Sequence, residues 1–246
     1  MAVIGSDIRV FQDPEALSQA AAAIFAETAN QAIAERGEFR VALSGGKTPE
    51  RMYALLAQSP HRELIDWHRL HAFWGDERCV PPEDLHSNYR QIRDILLSHV
   101  PVPLENIHRV RTELDPGPAA EDYARVLRRN ADPPLEWPRF DLVLLGLGED
   151  GHTASLFPGS PMQTTRATLA VALQGEGRQS WRVTMTPAVF NSGRRVVFLV
   201  LGAGKSRIVA SVLHGETKPD KLPAQRIQPE AGELIWMLDA GAAANS

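Results

Sequence analysis

Four short segments carry side chains whose type and order suit chemistry on a small anionic molecule. The first is Ser44-Gly45-Gly46-Lys47-Thr48-Pro49. Its glycines lack a Cβ, so backbone N–H groups can approach an anion closely, while Ser44 and Thr48 add hydroxyls and Lys47 adds charge. The second is Trp74-Gly75-Asp76-Glu77-Arg78, where Arg78 suits the oxygens of an anion or of a developing negative charge, and Asp76 can orient or exchange a proton. The third, Gly146-Leu147-Gly148-Glu149-Asp150-Gly151-His152-Thr153, sets one imidazole just after two carboxylates on a glycine-rich loop. Histidine is the side chain best suited to take and return a proton near neutral pH. The fourth, Gly202-Ala203-Gly204-Lys205-Ser206, repeats the combination of glycine, lysine and hydroxyl. Lys205 falls in the first turn of an expected helix, where a cation is disfavoured by about 0.3–1 kcal/mol unless an anion sits beside it.

Each segment also has a plainer reading. The first is equally a tight strand-to-helix turn capped by Thr48, Asp76-Glu77-Arg78 a solvated salt link, and Lys205 a surface lysine. Gly-Lys-Thr and Gly-Lys-Ser suggest a nucleotide loop, but Val41 and Leu199 stand where that motif needs its first glycine. Gly146, Gly148 and Gly151 match a dinucleotide fingerprint. Against it, Glu149 and Asp150 would repel a pyrophosphate, and Pro158 comes too soon for a crossover helix. The nearest acid that could hold a ribose, Glu176, sits in a glycine-rich loop. His68 and His71 have no third ligand of suitable type nearby, so a zinc site is not expected.

The elements that must position these segments are legible as apolar runs punctuated by Gly and Pro. Strands are expected at Phe39–Leu43, Leu70–Trp74, 140–145, 182–186, 196–201 and 233–238. Helices are expected from Asp13-Pro14 to about Arg36, from Pro49 to Ala57, behind a Ser87 cap, over 119–129 and over 203–213. Pro-rich stretches at 100–104 and 132–138 are loops. Strands without polar alternation are buried on both faces, which favours a parallel sheet between helices. Ligands of such sheets sit at the carboxyl ends of the strands, where all four segments fall.

Composition excludes several classes. The 246 residues suit one α/β domain, 1–246, with no convincing internal boundary. With 26 basic and 30 acidic residues intermixed, there is no basic stripe for nucleic acid. No apolar run approaches the roughly 20 residues of a membrane span, and residues 1–10 lack a signal-peptide pattern. The lone Cys79 allows no internal disulfide, so a cytoplasmic protein is expected. The expected assembly is a monomer or a weak dimer.

Taken in order, Ser44-Gly-Gly-Lys-Thr-Pro49, Trp74-Gly-Asp-Glu-Arg78 with Ser87-Asn88-Tyr89, the block from Leu145 through His152 to Pro158, and Leu201-Gly-Ala-Gly-Lys-Ser206 resemble the successive signature blocks of the 6-phosphogluconolactonase family. The resemblance covers about residues 41–226; its first loop is shared with glucosamine-6-phosphate deaminase and related isomerases. It implies a three-layer α/β/α fold with a mostly parallel, Rossmann-like sheet of the glucosamine-6-phosphate deaminase type. It also implies hydrolysis of 6-phospho-D-glucono-1,5-lactone to 6-phospho-D-gluconate in the oxidative pentose phosphate pathway, without a cofactor. On this resemblance His152 is the catalytic histidine, and Asp76 with Arg78 the active-site acid–arginine pair. Ser44, Gly45, Gly46, Lys47, Thr48 and Lys205 bind the phosphate of a small sugar-phosphate lactone. The alternatives are an amino-sugar phosphate deaminase or isomerase on the same scaffold, and a non-catalytic sugar-phosphate sensor.

Overall fold

The computed structural model describes residues 6–160, 166–175 and 178–245, so Glu176 and the first five residues lie outside the described part. A strand, β1 (Ser6–Phe11), leads into α1 (Pro14–Arg36). The helix opens where the Asp13 carboxylate accepts from Ala16 N–H at 2.8 Å, and it closes at Gly37, whose φ of 80° suits a residue without Cβ. Next come β2 (Phe39–Leu43), α2 (Glu50–Leu56), α3 (His61–Leu64), β3 (Leu70–Trp74), β4 (Asp76–Arg78) and α4 (Asn88–Ile92). The second half adds β5 (Ile107–His108), α5 (Pro116–Arg129), β6 (Leu142–Leu145), β7 (Thr168–Gly175) and β8 (Arg178–Met185). It ends with α6 (Pro187–Asn191), β9 (Arg195–Val200), α7 (Ser206–His214) and β10 (Glu233–Asp239).

Seven strands form one parallel sheet in the order β1-β10-β9-β6-β2-β3-β5. Alternate side chains of each strand enter opposite cores, which is why the strand sequences carry no polar alternation. Val41, Leu142, Leu144, Val197 and Ile235 pack with α1 and α2 on one face. Ala42, Val143, Leu145, Phe198 and Trp236 pack with α5, α6 and α7 on the other. Each fully buried Val, Leu or Phe contributes roughly 1.5–3 kcal/mol of transfer free energy, so both layers are held by the same strands. The fold is thus α/β with helices flanking a parallel sheet, as expected.

The strand order reverses between β2 and β6, which are hydrogen-bonded neighbours (Val41 opposite Leu142, Ala42 opposite Val143). A crevice opens outside the carboxyl ends of strands at such a point. With β9 beside β6 and β3 beside β2, the four central strands deliver all four sequence segments to one rim. Adjacent strands lie about 4.8 Å apart, so that rim is roughly 14 Å across.

Three expectations need correction. Residues 182–186 belong to β8, which pairs antiparallel with β4 and β7 in a second sheet and lies outside the parallel one. The period-two alternation of Arg182 and Thr184 with Val183 and Met185 is the signature of such a strand. Asp76, Glu77 and Arg78 form strand β4, not a loop, because Thr184, Val183 and Arg182 of β8 stand opposite them. Thr48 does not cap α2. Pro49 is the N-cap, already helical at φ −82° and ψ −5°, and no side-chain cap bond is made. The Ser87 cap is present, with its Oγ accepting from Arg90 N–H at 3.1 Å. Among the described residues no helix is long and apolar enough to cross a membrane.

Candidate functional site

A cleft of about 270 Å³ lies at the rim, lined from the four segments by Ser44, Thr48, Asp76, Arg78, His152 and Lys205. Gly45, Gly46, Gly148 and, from α4, Asn88 also line it. A larger groove of about 1050 Å³, beside Trp137 and Arg139, opens near the amino ends of the strands. None of the sequence-predicted residues lines it, so the smaller cleft is the candidate site.

The imidazole of His152 is oriented by its neighbours. Its Nδ1 lies 2.5 Å from Asp150 Oδ1, and the same oxygen accepts the His152 backbone N–H at 3.1 Å. A carboxylate on Nδ1 assigns the proton to that nitrogen and leaves Nε2 as an acceptor. Burial raises the Asp150 carboxyl, but the backbone and ring N–H groups of His152 outweigh it and hold the acid below its ordinary range. Space for the ring exists only because residue 148 is glycine, since a Cβ there would come within 2.0 Å of Nδ1. Phe157 walls the ring on one side, with centroids 4.5 Å apart.

Asp76 and Arg78 point to the rim from alternate positions of β4. Asp76 is 9% exposed; its Oδ2 accepts from Ser155 Oγ at 2.6 Å and its Oδ1 from Asn88 Nδ2 at 3.3 Å. Arg78 lines the cleft while one nitrogen, Nη1, donates to His86 O at 2.7 Å. Between them Glu77 points away and is 1% exposed. It accepts from the N–H groups of Arg78, Asn88 and Tyr89 and from Ser87 Oγ, at 2.7–3.3 Å. Burial raises the Glu77 carboxyl, opposed by those N–H donors.

The 44–48 turn offers fewer donors than its sequence suggests. Ser44 N–H donates to the Tyr53 hydroxyl at 3.2 Å, and Gly46 N–H to Gln91 Oε1 at 2.9 Å. The N–H groups of Gly45, Lys47 and Thr48 make no such bond among the described residues, and Thr48, whose hydroxyl is free of any capping duty, lines the cleft. Gly46 adopts φ 91° and so shapes the turn without supplying a donor. The Lys47 side chain is exposed and does not line the cleft. Lys205 does, with Nζ 4.0 Å from Glu149 Oε1. Because α2 has only seven residues, the local hydroxyls, N–H groups and Lys205 carry more of any anion binding than a helix dipole would.

An imidazole, a guanidinium, an ammonium group and the 44–48 turn thus line one cleft. No group of three or more His, Cys, Asp or Glu that could hold a metal occurs among the described residues. A family model described as glucosamine-6-phosphate isomerases/6-phosphogluconolactonase matches residues 12–236. The chain belongs to this family. Among relatives, a 6-phosphogluconolactonase of Synechocystis sp. is 43% identical over 217 residues, 87% of this chain and 88% of that protein. The structure of a 6-phosphogluconolactonase from Trypanosoma cruzi superposes with a TM-score of 0.86 at 29% identity, over 100% of this chain and 98% of that one. A monomeric glucosamine-6-phosphate deaminase superposes at 0.84 with 22% identity, a likeness of fold alone.

Within this family framework, sequence reasoning passed over Asn88, Ser155 and Gln91. Ser155 stands in the block from Leu145 to Pro158, and its hydroxyl is committed to Asp76. Asn88 stands in the Ser87-Asn88-Tyr89 block, but only the packing of α4 on β4 brings it to Asp76. Asp150 could have been singled out, because an acid two residues before a histidine can hydrogen-bond it across a tight turn.

Proposed function

We propose that the chain hydrolyses 6-phospho-D-glucono-1,5-lactone to 6-phospho-D-gluconate in the oxidative pentose phosphate pathway, without a cofactor. One observation carries the reading. An imidazole with Nδ1 tied to a carboxylate and Nε2 open shares a cleft with Arg78, Lys205 and the 44–48 turn.

In the proposed reaction, neutral His152 takes a proton from water through Nε2 as the water oxygen attacks the lactone carbonyl carbon, C1. Arg78 meets the oxygen on which negative charge develops; one such donor typically contributes about 3 kcal/mol. The tetrahedral intermediate collapses by breaking the bond from C1 to the ring oxygen, and His152 returns the proton to that oxygen. The new carboxylic acid then ionises to the solvent. Asp150 stabilises the transient imidazolium and holds the ring, as a carboxylate on Nδ1 does generally. Asp76, with both oxygens engaged, orients groups around C1 and is not the acid on the histidine. Ser44, Thr48, Lys205 and the N–H groups of Gly45, Lys47 and Thr48 hold the phosphoryl end, so that its binding energy aligns the carbonyl. The lone Cys79 is in keeping with a cytoplasmic setting.

The test is product formation from freshly generated 6-phosphogluconolactone, corrected for spontaneous opening, beside an assay of ammonia release from glucosamine 6-phosphate. Rapid acid production from the lactone supports the proposal. Ammonia release without lactone turnover would assign the deaminase reaction, and tight binding without turnover a sensor.

A further inference from the structure

Gln91 has no part in the reaction above, yet it grips the turn that does. Gly46 N–H donates to Gln91 Oε1 at 2.9 Å, and Gln91 Nε2 donates to Gly46 O at 3.0 Å. The same Nε2 donates to Glu50 Oε1 at 2.7 Å. All three bonds require one amide orientation, because a flipped amide would set N–H against N–H and oxygen against oxygen. Both backbone polar groups of Gly46 are therefore spent on one side chain, at a residue whose φ of 91° few others adopt.

We infer that Gln91 is a positioning residue, holding the 44–48 turn in the conformation that presents the N–H groups of Gly45, Lys47 and Thr48 to a phosphoryl group. The inference rests on the sugar-phosphate reading of the cleft. A turn with two adjacent glycines has many accessible conformers, and ordering it costs more entropy than ordering most others. Two hydrogen bonds from a side chain anchored on a helix select one conformer before the ligand arrives, so less of the ligand's binding energy goes to ordering. The anchor is itself secured, since α4 begins at Asn88 and Tyr89, whose N–H groups donate to the buried Glu77. Gln91 lies three residues beyond Asn88, on the same helical face. Asn88 meets the neighbouring glycine directly, because a Cβ on Gly45 would lie 1.9 Å from Asn88 Oδ1. Through α4 the strand bearing Asp76 and Arg78 thus sets the shape of the anion turn.

The experiment compares wild type with Gln91→Ala and Gln91→Met on two lactones, and measures binding of inorganic phosphate by phosphorus NMR without turnover. Loss of the clamp should weaken phosphate binding and raise KM for the phosphorylated lactone by about tenfold, with kcat changed less than about threefold. Hydrolysis of unphosphorylated gluconolactone should keep its kcat/KM, which a merely structural defect would not spare. Gln91→Glu keeps the acceptor for Gly46 N–H but loses both donors and adds charge beside Glu50, so phosphate binding should fall further. Equal losses on both lactones, or an unchanged phosphate Kd in folded Gln91→Ala or Gln91→Met, would overturn the inference. A wild type that binds phosphate but opens no lactone would instead sink the proposed reaction, with phosphate binding by the variants still deciding the role of Gln91.

Discussion

Ser155 donates its hydroxyl to the carboxylate of Asp76 at 2.6 Å, across 79 positions of chain, and both residues are almost wholly buried. This bond ties the histidine loop to the acid–arginine strand. It also defines what Ser155 does, since a loop hydroxyl committed to a buried carboxylate on β4 acts as a brace. Ser155→Ala should cost about 1–2 kcal/mol of positioning, or roughly 5–30-fold in kcat. A covalent nucleophile would lose several more orders of magnitude. Steady-state assay of the purified variant separates the two, and near-complete inactivation would refute the brace.

His152→Ala should lower kcat by about 10²–10⁴-fold, the range typical of general acid–base catalysis, with little change in KM. Asp150→Asn should lower kcat by a smaller factor, because the amide can still contact the ring but no longer stabilises an imidazolium. Stopped-flow measurement on fresh lactone is needed, given the spontaneous background. Retention of most of the rate in His152→Ala would remove the imidazole from the mechanism.

Gly148→Ala isolates orientation from chemistry. The added Cβ would sit 2.0 Å from His152 Nδ1, so the ring must leave Asp150. The backbone at position 148 is not in the left-handed region, so the fold should tolerate the change. We expect kcat to approach that of His152→Ala while the melting temperature shifts by only a few degrees, about what 1 kcal/mol produces in a domain of this size.

Glu77→Gln should destabilise the protein by about 1–3 kcal/mol, because an amide NH2 would face donors where the carboxylate now accepts four hydrogen bonds. Urea unfolding midpoints measure this, and an unchanged midpoint would count against Glu77 as the pin of α4.

A pH dependence of stability should arise from two histidines that do not line the cleft. His71 Nδ1 lies 3.2 Å from His108 Nε2, and His108 stacks on Phe73 at 4.3 Å. Burial, followed by the charges of His71 and Arg40, pushes His108 down to about 4 from its ordinary 6.5. Burial also lowers His71, against the nearby Glu38 and with Arg40. Between those values the unfolded chain binds the proton and the folded one does not. Stability is therefore full above about pH 6.5 and declines as pH falls towards 4. His108→Phe should flatten that decline in urea midpoints measured from pH 7 to 4.5.

Apolar runs and glycine-rich punctuation were enough to place most strands and helices, because strands buried on both faces must be uniformly apolar and helices need recognisable starts and stops. Phe39–Leu43 and Leu70–Trp74 coincide with β2 and β3 for that reason. The chemistry-bearing segments were legible from residue type and from their position at strand ends. Only the tertiary structure decided which groups meet. Sheet order brings β9, β6, β2 and β3 side by side, and strand adjacency depends on long-range packing that no local pattern encodes. The same limit hid the antiparallel pairing of β8 with β4 and β7. It hid the Ser155–Asp76 bond as well as the grip of Gln91 on Gly46. Lys47, the most conspicuous cation of its loop, stands outside the cleft because a one-residue change of direction in a tight turn sends a side chain to solvent. Hydrogen-bond partners far apart in sequence are selected by the geometry of the packed layers, and that geometry exists only once both cores have formed.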